Sequence, residues 1–129
     1  MSRKIQDATF VKTRALPTAD GTVTSADLDL GADAFKPESM ELEITVPALN
    51  ATQLPNADTI TMTIQHGAAA TPTTLLAVLP VITGSSGYAG GTFRFRLPSN
   101  TLRYVNVKFV AAGGTGDISA SSATVKLLF

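Results

Sequence analysis

A chain of 129 residues is one domain in length and long enough to bury a core. Its ten basic and ten acidic residues cancel, so no global attraction to a polyanion such as nucleic acid is implied, and without a cysteine no disulfide holds the fold in any compartment. Hydrophobic residues make up 44% against 16% charged, with a mean hydropathy of +0.21, a balance in which some apolar surface is expected to be covered by a partner.

The first segment, residues 1–14, reads as an extended arm or edge strand, and residues 15–129 as a single β-sandwich domain. Its start has no apolar stretch after Arg3 and Lys4, so a secretory signal is not expected, and a cytoplasmic site of synthesis is. Ala15-Leu16-Pro17 forces extended backbone before a turn at Ala19-Asp20-Gly21. Residues 22–30 read as a strand with Val23, Leu28 and Leu30 apolar. In residues 40–46, Met40, Leu42, Ile44 and Val46 alternate with Glu41, Glu43 and Thr45, and Pro47 ends the run. Residues 48–56 form a loop.

Residues 59–65 give the clearest alternation, with Ile60, Met62 and Ile64 on one face and threonines on the other. Residues 75–82 are a buried run too short to span a bilayer, and Pro80 places it at an edge or a bulge. The glycine-rich residues 84–91 read as a flexible loop. Phe93, Phe95 and Leu97 then alternate with Thr92, Arg94 and Arg96, which predicts buried phenylalanines and exposed arginines. Residues 103–112 are a strand, residues 113–117 a hairpin-type loop, and residues 118–129 the last strand. About eight strands and no helical period predict an all-β, jelly-roll-like antiparallel sandwich, with an immunoglobulin-like sandwich as the alternative.

Charge is segregated along the chain. Residues 1–14 carry four basic residues against Asp7, residues 20–58 eight acidic residues against Lys36, and residues 94–126 five basic residues against Asp117. Such a chain can pair with copies of itself, or the runs can be solvated faces. The candidate partner-contact residues are Arg3, Lys4, Lys12, Arg14, Arg94, Arg96 and Arg103.

Catalytic and metal chemistry find little support. The one histidine, His66, stands at a strand end and is expected at the surface. One histidine without cysteine does not make a zinc site. Asp27, Asp29 and Asp33 approach a calcium loop in spacing, but Ala32 occupies the sharp-turn position and no helices flank them, so a cation there stays open. No catalytic residue and no cofactor are expected.

The runs Lys4-Ile5-Gln6-Asp7-Ala8-Thr9-Phe10, Thr13-Arg14-Ala15-Leu16-Pro17 and Asp27-Leu28-Asp29-Leu30-Gly31 resemble the small capsid cement, or decoration, proteins of tailed bacteriophages. So do Leu102-Arg103-Tyr104-Val105-Asn106-Val107 and Thr124-Val125-Lys126-Leu127-Leu128. Residues 50–91 lie outside that likeness. The resemblance implies a non-enzymatic jelly-roll module on the exterior of a virion, bridging major capsid proteins and stabilising the head against DNA pressure. Its partners would be the major capsid protein and itself, as a trimer or dimer, without direct contact to nucleic acid or membrane. The alternative is a carbohydrate- or receptor-binding sandwich of a phage fibre, against which the absence of Trp weighs, since sugar sites favour exposed aromatic platforms.

Overall fold

The computed structural model describes residues 6–31, 40–113 and 117–128, and of residues 6–10 the backbone only. Ten strands follow in order: β1 Gln6–Ala15, β2 Thr22–Thr24, β3 Leu28–Asp29, β4 Glu41–Val46, β5 Thr59–Gly67, β6 Thr74–Val78, β7 Ile82–Thr83, β8 Gly91–Arg96, β9 Tyr104–Ala112 and β10 Ser122–Leu128. They correspond to the eight segments read from the sequence, two of which are interrupted. Residues 22–30 split into β2 and β3, where Ser25 keeps the ladder going. Its N–H donates to Val107 O at 2.8 Å, and its buried hydroxyl accepts from the Val107 N–H at 3.0 Å. Residues 74–83 split into β6 and β7 around Pro80, which lacks a ladder donor.

Two antiparallel sheets result, ordered β1-β10-β4-β8 and β2-β9-β5-β6, with β3 on β9 and β7 on β5. Counting the split strands as one each, the first segment pairs with the last, the second with the seventh, the third with the sixth and the fourth with the fifth. This nested pairing is that of a rolled-up long hairpin, a jelly roll. The immunoglobulin-like alternative is set aside by the same order.

Alternation supplies the core. Leu42, Ile44 and Val46 of β4, Ile60, Met62 and Ile64 of β5, Val105, Val107 and Phe109 of β9, and Val125 and Leu127 of β10 are buried between the sheets. Each such side chain contributes about 1.5–3 kcal/mol by leaving water. Phe93 and Phe95 of the edge strand β8 pack against this cluster, while Arg94 and Arg96 are exposed.

Three connections differ from the sequence reading. β9 and β10 lie in different sheets, so the connection between them closes no hairpin; its residues 114–116 lie outside the described residues. Residues 84–91, read as flexible, are bound along the loop before β5. Leu49 and Tyr88 exchange backbone bonds at 2.7 and 2.8 Å, and the Gly87 N–H donates to Leu54 O at 3.0 Å. Residues 50–54 form one helical turn, in which Asn50 Oδ1 accepts from the N–H groups of Thr52 and Gln53, and Gln53 Oε1 accepts from the Asn50 N–H. This is the reciprocal arrangement of a capping box.

Candidate docking surface

The groups that could carry chemistry are engaged in holding the fold. His66 is 8% exposed, not a surface residue as its strand-end position suggested. It continues the inward series of Ile60, Met62 and Ile64, and its Nδ1 accepts the Leu102 N–H at 3.1 Å. Asp27 and Asp29 part company. Asp27 accepts from the Thr71 N–H at 2.6 Å and from Asn106 Nδ2 at 3.1 Å, whereas Asp29 receives Arg103 Nε and Nη2 at 2.7 and 2.9 Å. Asp33 lies outside the described residues, among which no three His, Asp or Glu side chains converge to hold a metal ion. No helix among them is long and apolar enough to cross a membrane.

The seven candidate cations do not form one patch. Arg3 and Lys4 lie outside the described residues. Lys12 and Arg14 stand on β1, paired with Val125 and Ala123 of β10, which are buried. They therefore occupy the core-facing side of an edge strand, a placement that discourages edge-to-edge pairing. The structure also makes residues 6–14 part of the chain's own sheet. Arg94 reaches Glu43 at 3.0 Å, and Arg96 stands opposite Glu41 in the same ladder. Arg103, besides gripping Asp29, lies over the Tyr104 ring at 5.0 Å. Asp29, Glu41 and Glu43 thus meet Arg103, Arg96 and Arg94 within the chain. The segregation read along the sequence is, for these pairs, satisfied internally.

Asp29 shows the electrostatic consequence. The Arg103 guanidinium and the Gly31 N–H hold its carboxyl down from 3.8 to about 2. Ser119 lowers Asp117 in the same direction through hydrogen bonds, chiefly from its backbone N–H, and burial pushes the Tyr88 phenol up.

The two outer faces of the sandwich differ in kind. Residues directly opposite one another in an antiparallel ladder share a face. On the β1-β10-β4-β8 sheet, the outer face carries Glu41, Glu43, Arg94, Arg96 and Lys126, cross-paired. On the other sheet, Thr59, Thr61, Thr63 and Gln65 of β5 stand beside Ala112, Val110, Lys108 and Asn106 of β9, with Thr22 and Thr24 of β2 and Leu75 and Val78 of β6 at the margins. Lys108 is the one charged residue in those four strands. The cause is visible in the sequence: no Asp, Glu, Lys or Arg occurs between Asp58 and Arg94.

A groove of about 340 Å³ indents one end of this neutral face, between the β2–β3 connection and the β5–β6 loop. Its walls include Thr24, Asp27, Gln65, Thr71, Pro72 and Asn106, and none of its lining residues is aromatic. Asn106 is 2% exposed. Its Nδ2 donates to Asp27 Oδ1 and to Pro72 O at 3.1 and 3.3 Å, and its Oδ1 has no hydrogen-bond partner within the chain. Asn106 ties the two loops together. Sequence reasoning passed over it, because a polar residue in an outward strand position gives no sign of burial. Leu75 and Val78 were read as buried; they are 58% exposed each, on the outer side of an edge.

No family model matches the chain, and no curated protein does. Among solved structures it is similar to a xylan-binding module, CBM15, at 16% identity over 97% of this chain and 95% of that one, with a TM-score of 0.47. It is also similar to a structure described as "CBM4 structure and function", at 14% identity over 82% and 67%, TM-score 0.41. A third is a mutant of xylanase 10C from Cellvibrio japonicus in complex with xylopentaose, at 14% identity over 98% of this chain but 28% of that one, TM-score 0.48. Likenesses of this size carry no argument about what the chain binds; the fold rests on its strand order.

Proposed function

We propose that this chain is a non-enzymatic structural module that docks one face on a protein shell, and specifically a capsid cement protein on the exterior of a phage head, bridging neighbouring major capsid proteins. The observation that supports this is the contrast between the outer faces. Interface centres are depleted in charged residues, because a charge must be dehydrated when a partner covers it. The Thr59–Gln65 face meets that condition along β2, β5, β6 and β9, on which Lys108 is the one charge, with Asp27 and the Asp29–Arg103 pair at its end. The opposite face, with Glu43 and Arg94 paired in water, suits the side that looks away from the shell. The docking face stands on hydrogen-bonded strands of a packed sandwich, so its backbone is already ordered and docking costs little further conformational entropy.

The carbohydrate-binding alternative fares less well on the same residues. Tyr104 lies beneath Arg103, Tyr88 is held in a backbone bridge to Leu49, and the groove has no aromatic wall. The test is to locate the chain on purified particles by imaging. Density of this jelly roll on the outer surface, with the Thr61 and Thr63 side toward the shell, is expected. Particles without it, together with retention of the protein on an immobilised polysaccharide, would favour the alternative.

A further inference from the structure

Among the described residues the sandwich has four sheet edges, β1 and β8 on one sheet, and β2 with β3, and β6 with β7, on the other. An edge offers unpaired backbone groups to another strand, and most edges carry some obstacle to that. β1 carries Lys12 and Arg14, and β8 carries Arg94 and Arg96. β2 has three residues and β3 has two. β6, Thr74–Val78, has neither obstacle; its one irregularity is a register shift against β5 at Leu76. It carries no charge, and it is flanked by Pro72 and Pro80, outside the strand itself.

Leu75 and Val78 are each 58% exposed on its outer side, and Val81 just beyond it is 51% exposed. Leu76 and Ala77 meanwhile pack against the core. The strand is thus anchored from within and apolar without.

We infer that β6 pairs with β6 of a second copy about a two-fold axis, joining the two β2-β9-β5-β6 sheets into one. The choice of a second copy follows from charge. In a two-fold antiparallel pair each strand meets itself reversed, so like charges on the strand are brought together across the axis. That penalises β1 and β8, with two cations each, and leaves β6 unpenalised. A two-fold axis between Leu76 and Ala77 brings Leu75 of one copy opposite Val78 of the other on the outer face. The apolar margin is thereby covered, and the two neutral faces become continuous. The prolines end the ladder on both sides, so the pair closes as a dimer and consumes the edge. The inference extends the docking reading by enlarging its face, but it needs no shell to be tested.

The experiment is sedimentation of the full-length protein over a range of concentrations, with the fold checked by circular dichroism. Wild type is expected as a dimer. The double variant Leu75→Lys/Val78→Lys, whose sites are on the surface, is expected as a folded monomer, because four ammonium groups then meet at the axis. Leu75→Lys/Val78→Glu places opposite charges across the axis and is expected to restore the dimer. Thr13→Lys on β1 is expected to leave it unchanged. A monomeric wild type, a dimer that survives Leu75→Lys/Val78→Lys, or a failure of the opposite-charge variant to restore pairing would each overturn the inference. A β6-paired dimer that does not bind shells would uphold it while removing the docking reading.

Discussion

Arg103 donates to both carboxylate oxygens of Asp29, a residue 74 positions earlier, at 2.7 and 2.9 Å. The pair ties the short strand β3 to the start of β9 and closes one end of the neutral face. Because the carboxyl titrates at about 2 when folded and at 3.8 ordinarily, its folded pKa is depressed. Its stabilising contribution is therefore present above 3.8 and is lost as the pH falls toward 2. Asp29→Asn is expected to lower the urea midpoint near neutral pH, with the gap to wild type closing toward pH 2. Both partners are substantially exposed, at 38% and 46%, so the gap is expected to be small and to shrink in high salt. A gap that stays constant with pH would contradict this account.

His66 acts as a buried acceptor. Replacing it with Leu leaves the Leu102 N–H without its partner, and the expected cost is about 1–3 kcal/mol in equilibrium denaturation. Asn, whose Oδ1 sits close to where Nδ1 does, is expected to recover part of it. If Leu and Asn variants are equally stable, the hydrogen bond to Leu102 is not what keeps a histidine there.

Gly84 lies against the loop before β5. A Cβ at this position would fall 2.7 Å from Leu54 O and closer still to Pro55 O, both backbone atoms that cannot swing away. Gly84→Ala is expected to destabilise by about 1–3 kcal/mol, as overpacking does, and to loosen residues 84–91. Thermal melts with hydrogen exchange at Gly87 and Tyr88 would check both effects. Unchanged protection at Tyr88 would contradict the view that this loop is docked.

The strands were legible because each carries its own period. The alternation of Ile60, Met62 and Ile64 with threonines states its two faces without reference to any neighbour. By the same rule His66 belongs inside, and only its polarity suggested otherwise. The pairing of strands was less legible. Glu43 and Arg94 are 51 positions apart, and nothing local says that one answers the other. Arg94 and Arg103, which looked available for a partner, are engaged by Glu43 and Asp29. The neutral face could have been found in the charge-free run between Asp58 and Arg94, but its meaning depends on β5 and β6 standing side by side with β9 and β2, which no single segment reveals. The arrest of residues 84–91 depends likewise on contacts to residues 49–56.

The central claim is that the Thr61 and Thr63 face docks on a shell. The measurement that tests it most directly is the melting temperature of purified, expanded shells lacking this protein, with and without the protein added back. A ligand that binds only the assembled state stabilises it by RT ln(1 + [L]/Kd), about 2.7 kcal/mol per site at a hundredfold excess over Kd. Wild-type protein is expected to sediment with the shells and raise their melting temperature. Thr61→Lys/Thr63→Lys, which places two charges on that face and leaves the core untouched, is expected to do neither. Melting that is unchanged by the wild-type protein, with none of it recovered on the shells, would contradict the account.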